Sequence, residues 1–193
     1  FTNSPIHAGK PRPWIKDSAY NTKKLPKTLV EDLTNTNTAA FVIIKDGKIL
    51  HEEYWDGYGP TSKTNSFSMA KGITSLLMGK AIDEGKFKSE NQKISDFYEN
   101  YKNIPFGKEA TIKNLVTMEA GLDWDEAYYN PFGPNAKAYY GNSLAETTLL
   151  RGFKDKPGTK FEYQSGATQL LGFVLRKAIN QPIASYATHK LWT

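Results

Sequence analysis

The strongest pattern in the chain is a pair of apolar runs, Ala39-Ala40-Phe41-Val42-Ile43-Ile44 and Ile49-Leu50-His51-Glu52-Glu53-Tyr54-Trp55, separated by Lys45-Asp46-Gly47-Lys48. Asp-Gly between β-branched runs predicts a two-residue hairpin turn, because both central positions need positive φ. The first run is apolar on both faces, which predicts a strand buried within a sheet covered by helices. After a Gly/Pro/Ser/Thr loop over 57–65, helical spacing takes over. Met69, Ile73, Leu76, Leu77, Ala81 and Ile82 form a broad apolar face, predicting a helix from about Ser68 to Glu84 that stops at Gly85. A second long apolar helix is expected over 166–179 and a third from about Ile183.

The rest of the chain is punctuated more finely. Residues 1–28 are rich in Pro, Lys and Asn and read as an irregular arm wrapping a domain, with Trp14 and Ile15 as its anchor. Thr28 to Leu33 is expected to form a short helix. Residues 86–160 read as short helices and turns: Ser89-x-x-Gln92 and Ser143-x-x-Glu146 are capping-box patterns, and Gly121 is expected to end a helix begun near Ile112. A Gly/Pro/Tyr-rich loop is expected over 128–141, and Pro157-Gly158 turns the chain into an extended Lys160–Tyr163. The divisions are thus 1–37, arm and short helix; 38–85, hairpin and long helix; 86–160, helical subdomain; and 161–193, an extended segment with its following helices. Two strands alone do not make a stable sheet. Completion is therefore expected from chain beyond Thr193 or from another polypeptide.

Composition narrows the chemistry. At 193 residues with 39% hydrophobic and 13% aromatic side chains, the chain can bury a core. The net charge of +5 arises from lysines spread along the chain and interleaved with acids, the pattern of a solvated surface rather than a nucleic-acid footprint. There is no cysteine, so disulfides, thiolate metal sites and cysteine nucleophiles are excluded. His7, His51 and His189 lie far apart without metal-ligand spacing, and no metal or other cofactor is implied. No apolar run approaches the ~20 residues of a membrane span. The chain opens at Phe1, with no targeting segment in view.

Two constellations carry candidate chemistry. Ser68-Met69-Ala70-Lys71 puts a serine at the start of the long helix and a lysine three residues on, on the same face. Eleven serines and 22 lysines would give about 1.3 Ser-x-x-Lys matches by chance, so the tetrapeptide alone is uninformative. Its placement is not: the free N–H groups and positive dipole of a helix start suit a serine that attacks a carbonyl, and they disfavour an idle lysine. The second constellation is Tyr163-Gln164-Ser165, between an extended segment and a helix start. In extended backbone i and i+2 point the same way, so the two hydroxyls project together. By itself this could equally be a core tyrosine with Ser165 as a plain N-cap.

Together these stretches resemble the serine β-lactamase and penicillin-binding-protein superfamily, on the side of the class C β-lactamases and related esterases and amidases. The resemblance rests on Phe67-Ser68-Met69-Ala70-Lys71-Gly72, on Leu115 to Trp124, and on Pro157 to Gly166 followed by Leu170-Leu171-Gly172, in that order; Lys190-Leu191-Trp192-Thr193 adds to it. It implies an α/β fold of α+β type: an antiparallel sheet flanked by helices, with a mostly helical subdomain. It further implies that this chain is the N-terminal part of that fold with most of the sheet missing. Ser68 would be the nucleophile of an acyl-enzyme, Lys71 and Tyr163 would share the general-base and general-acid work, and the Ser68 backbone N–H would be one oxyanion donor. The substrate would be a small ester or amide, whether in an esterase, amidase, D-amino-acid peptidase or β-lactamase.

Two departures stand out. Ser165 occupies the asparagine place of the family's Tyr-x-Asn, as in esterase-like and nylon-oligomer-hydrolase-like branches. The late Lys-Thr-Gly or His-x-Gly motif is absent, and His7-Ala8-Gly9 precedes Ser68 and so cannot take its place. Ser165 is expected to contact Lys71 or the leaving group. Trp124, Tyr128 and Tyr129, with Phe132, Tyr139 and Tyr140, are expected either to wall the pocket or to pin a surface loop. Asp123, Asp125 and Glu126 read as a solvated acidic turn. A non-catalytic ligand-binding or sensor domain of the same fold is the competing reading. The resemblance and the missing start together imply an extracytoplasmic location, periplasmic or secreted.

Overall fold

The computed structural model describes residues 4–192. They fall into two compact units: Lys10–Ser66, and a larger one formed by the chain from Phe67 onward with the N-terminal residues through Gly9.

The smaller unit is built on the expected hairpin. Strands β1 (Ala40–Lys45) and β2 (Lys48–Tyr54) pair antiparallel in the only sheet of the described residues, with a bulge between Ile43 and Ile44. Asp46 and Gly47 take φ of 50° and 73°, the two positive values that the turn demands. The expectation that β1 is buried on both faces is not met. Phe41 and Ile43 are half-buried while Val42 and Ile44 are 44% and 47% exposed, because a two-stranded sheet has only one face to offer a core here. Nor are Trp14 and Ile15 anchors, at 57% and 69% exposed. The arm is held by its backbone instead: the Ile49 N–H donates to the Ile15 carbonyl and the Asp17 N–H to the Ile49 carbonyl, both at 2.9 Å. Asn21 extends this edge, exchanging side-chain bonds with the backbone of Glu52. Helix α1 (Lys27–Asn35) follows Pro26 and buries no residue.

The larger unit is helical. Helix α2 (Met69–Asp83), α3 (Ile112–Val116), α4 (Pro134–Tyr140), α5 (Leu144–Leu149), α6 (Ser165–Ile179) and α7 (Ile183–Leu191) are joined by turns, with 3₁₀ segments at Ile94–Asp96 and Glu99–Lys102. Its core gathers Leu77, Met78 and Ala81 of α2, Ile112 and Leu115 of α3, Leu170, Leu171, Val174 and Leu175 of α6, and Tyr186 of α7, around Trp124 and Tyr101. Each fully buried Leu or Ile of this set contributes about 1.5–3 kcal/mol of transfer free energy. Helix α2 spends only part of its apolar surface this way: Met69 and Leu76 stay 71% and 60% exposed, on a face shared with Gly72 and Gly79.

Three local expectations are corrected. The helix begun at Ile112 ends at Val116, where Thr117 and then Met118 at φ 58° break it, well before Gly121. Ser89 starts a turn rather than a helix, its hydroxyl accepting from the Asn91 N–H. The stretch 128–141 contains α4, which begins with Pro134, a residue suited to a first helical position because its missing N–H would have no partner there. Ser143 behaves as expected, capping α5 by accepting from the Glu146 N–H.

Gly121 has a different task from ending a helix. It sits at φ 65°, and a Cβ there would stand 2.3 Å from the Asp155 carbonyl oxygen, while Gly121's own carbonyl accepts from the Lys154 N–H at 2.8 Å. This close approach seats residues 152–155 against the segment leading to Trp124. Gly121→Ala is therefore expected to destabilise the unit by about 1–3 kcal/mol, read as a lowered denaturation midpoint.

Candidate active site

The chain enters α2 through a tight corner. Phe67 lies at φ 43°, a left-handed value unusual for a bulky side chain, and Ser68 follows as the helix N-cap. An N-cap serine ordinarily turns its oxygen back onto the helix N–H groups. Ser68 makes no such cap bond. Its Oγ instead receives the Lys71 ammonium, with Nζ at 3.1 Å. One helical turn supplies this pairing, as the i, i+3 spacing predicts.

The third group comes from 95 residues away: Tyr163 Oη lies 2.8 Å from Ser68 Oγ. Lys71 Nζ also lies 4.9 Å from the centre of the Tyr163 ring. Tyr163 is brought there by its neighbours. The Glu162 N–H donates to the Met118 carbonyl at 2.8 Å, and the Gly158 N–H to the Glu119 carbonyl at 2.8 Å, tying the extended segment to the turn after α3. The alternation then decides the rest. Tyr163 and Ser165 project one way, and Gln164, 1% exposed, projects the other, donating from Nε2 to the carbonyls of Leu122 (2.7 Å) and Trp124 (3.2 Å). Gln164 is not singled out by the sequence pattern, although on an extended segment the residue between two that project to one face must project to the other.

Glu126 corrects the reading of a solvated acidic turn. Asp123 and Asp125 are exposed, but Glu126 is half-buried with donors on both oxygens. Oε1 accepts from Ser165 Oγ at 2.6 Å and from Tyr128 Oη at 2.7 Å. Oε2 accepts from the Ser165 backbone N–H at 2.7 Å and from Trp124 Nε1 at 3.1 Å. Gln164 precedes α6 without capping it, so the Glu126 carboxylate serves as a remote cap at that helix's positive end. Asn135 of α4 completes the arrangement, accepting from Trp124 Nε1 at 3.1 Å and donating to the Glu126 carbonyl at 3.0 Å.

The aromatic candidates separate accordingly. Trp124 is 1% exposed and forms the floor, pressed so closely on α6 that a Cβ on Gly166 would stand 2.2 Å from its ring. Tyr128 and Tyr139 stand at the rim of a cavity of about 440 Å³ that also takes in Ser68, Lys71, Ser165 and Thr168. Tyr129, 91% exposed, does not line that cavity.

Electrostatics follow from these contacts. The Lys71 ammonium first, and the Ser68 hydroxyl bond second, hold the Tyr163 phenol below its ordinary value, outweighing the opposing effects of burial and the Glu126 charge. Partial burial pushes Glu126 up, but the bonds from Ser165 and Tyr128 and the charge on Lys71 outweigh it and hold the carboxyl below the usual range. Tyr128 moves the other way, its phenol raised chiefly by its bond to Glu126.

The profile of the beta-lactamase family matches residues 27–193. The 6-aminohexanoate-dimer hydrolase of Paenarthrobacter ureafaciens is 22% identical over 176 residues, covering 85% of this chain and 44% of that protein. The octameric penicillin-binding protein homologue from Pyrococcus abyssi superposes with a TM-score of 0.62 at 21% identity, over 85% of this chain and 40% of its own. A class C beta-lactamase superposes with a TM-score of 0.56 at 18% identity, over 85% of this chain and 45% of its own. At these identities the superpositions show a shared fold, and the chain spans less than half the length of each of these three proteins.

Replacing Gln164 by Leu keeps the volume but strips both donors from two buried carbonyls. Gln164→Leu is expected to cost about 1–3 kcal/mol in denaturant unfolding and to loosen the Tyr163–Ser68 contact.

Proposed function

The chain belongs to the beta-lactamase family, and we propose that it forms part of a serine hydrolase that cleaves small esters or amides through an acyl-enzyme on Ser68. The observation that carries this reading is the meeting of Tyr163 Oη and Lys71 Nζ on one Ser68 oxygen, at 2.8 and 3.1 Å. With both groups protonated, each donates to Oγ and the serine is idle. Loss of one proton from the Lys71–Tyr163 pair reverses one of these bonds, and the pair then takes the Ser68 proton as Oγ attacks the substrate carbonyl. When the tetrahedral adduct collapses, the bond to the leaving oxygen or nitrogen breaks, and the proton returns from the pair to that atom. Water repeats the sequence on the acyl-enzyme and frees Ser68.

Similarity to a 6-aminohexanoate-dimer hydrolase, together with Ser165 in place of the family's asparagine, favours an esterase or amidase over a β-lactamase. The exposed Met69 and Leu76 on α2 support a further layer of the domain against that face, supplied by more of the same protein or by another chain. An extracytoplasmic location belongs to the same proposal and is tested by fractionating the source cells.

The full-length protein should react with a fluorophosphonate probe at Ser68, the serine oxygen displacing fluoride from phosphorus, and Ser68→Ala should abolish the labelling. A folded protein that is inert to the probe across pH 6–10 would point to a binding domain. The labelling rate should rise with pH as the Tyr163 phenol loses its proton, with a midpoint below the ordinary phenol value of 10.0. Tyr163→Phe should remove that limb and slow labelling by about 10²–10⁴-fold, the usual contribution of a general base.

A further inference from the structure

An ionised carboxylate has about four lone-pair sites and donates nothing. Four donors converge on Glu126: Ser165 Oγ and Tyr128 Oη on Oε1, the Ser165 N–H and Trp124 Nε1 on Oε2, the last shared with Asn135 Oδ1. The consequence for Ser165 is strict. A serine hydroxyl has one proton and two acceptor lone pairs, and at 2.6 Å from an oxygen that can only accept, its proton is committed to Glu126. Ser165 lines the same cavity as Ser68 and Lys71. It therefore presents lone pairs, and no proton, to whatever is bound there.

We propose that Glu126 fixes Ser165 as an acceptor-only group, so that this site favours acyl donors carrying an N–H beside the scissile carbonyl, secondary amides over esters of the same acid. With its proton on Glu126, Ser165 Oγ keeps lone pairs that can accept a substrate amide N–H. An ester places its bridging oxygen where the N–H would be, lone pair against lone pair, and forfeits that bond. An asparagine at position 165 would offer both a donor and an acceptor and make no such distinction. Ser165 is thus the specificity-determining contact, and Glu126 a positioning residue acting through it. The remaining donors on Glu126 make this orientation hard to lose, since Trp124 is buried and Tyr128 shares Oε1 with Ser165.

The inference rests on Ser68 being the nucleophile, and the test separates the two. The full-length protein is assayed on a p-nitroanilide and a p-nitrophenyl ester of one short acid, and the ratio of their kcat/KM values is followed. Glu126→Gln supplies an amide N–H that can donate to Ser165, freeing the serine's proton for the cavity. The amide-to-ester ratio should fall about five- to tenfold, one neutral hydrogen bond's worth. Ser165→Ala should lower it similarly, and the double variant should lower it no further, because both changes remove the same bond. For an N-methyl anilide, with no N–H, the ratio to the ester should not change in Ser165→Ala, whatever the variant does to both rates. Ratios unchanged in Glu126→Gln and Ser165→Ala, with both substrates slowed alike, would overturn the proposal and leave Ser68 in its role. If Glu126→Gln does not fold, Ser165→Ala and the N-methyl anilide decide alone. A wild-type protein that shows neither Ser68 labelling nor turnover would overturn both readings together.

Discussion

The site depends on a short extended segment held rigidly by residues far away in sequence. Ser68 and Lys71 are a helical turn apart and need nothing but α2 to find each other. Tyr163 has no such local support. Its position follows from Gln164, whose buried amide is spent on the carbonyls of Leu122 and Trp124, and from Ser165, whose backbone and hydroxyl are both held by Glu126. A buried amide with both protons engaged cannot slide by one residue without leaving carbonyls unpaired, and each orphaned group costs about 1–3 kcal/mol. Register is therefore fixed by polar pairing on one face of the segment, and the other face is free to carry the Tyr163 hydroxyl to Ser68 and the Ser165 hydroxyl into the cavity. In this arrangement the core is polar where it must be specific and apolar where it need only be full.

Charge is balanced around the same few atoms. Lys71 sits between an acid that is already saturated by donors and a phenol whose proton it loosens. With donors on both oxygens Glu126 holds Ser165, Tyr128 and Trp124 in place, and its charge opposes the pull of Lys71 on Tyr163 without overcoming it. The Tyr163 phenol is thus tuned in part by a group that makes no contact with Ser68.

The sequence pattern made one half of this legible. Helical phase put Ser68 and Lys71 together, strand alternation put Tyr163 beside Ser165, and Asp46-Gly47 set the hairpin turn. All three are consequences of short-range periodicity. The supporting half was not legible, because it depends on which of several similar residues the tertiary fold turns inward. Asp123, Asp125 and Glu126 look alike as an acidic run. Only Glu126 is drawn in, by Trp124 beside it and by Asn135 on α4, a helix that Gly133 and Pro134 disguise as loop. The pattern allows Trp124 either to wall a pocket or to pin a loop, and the absence of a side chain on Gly166 lets its indole pack onto α6 and become a floor. The hairpin's first strand failed in the opposite sense: β-branched residues predict a strand well, but they do not say how many layers will cover it.

Helix α2 shows how these two kinds of information combine. Its apolar residues encircle it more widely than one packing partner requires: the core takes Leu77, Met78 and Ala81, with Ile73 and Ile82 packed against it. The opposite stripe leaves Met69 and Leu76 exposed, immediately beyond Ser68. A helix that is apolar all round is one that folds bury on every side. At its start the chain turns through Phe67 in a left-handed conformation. The corner in turn spares Ser68 Oγ from capping its own helix, so that its lone pairs meet a lysine and a tyrosine. The placing of Ser68 Oγ is in this sense a property of how α2 begins.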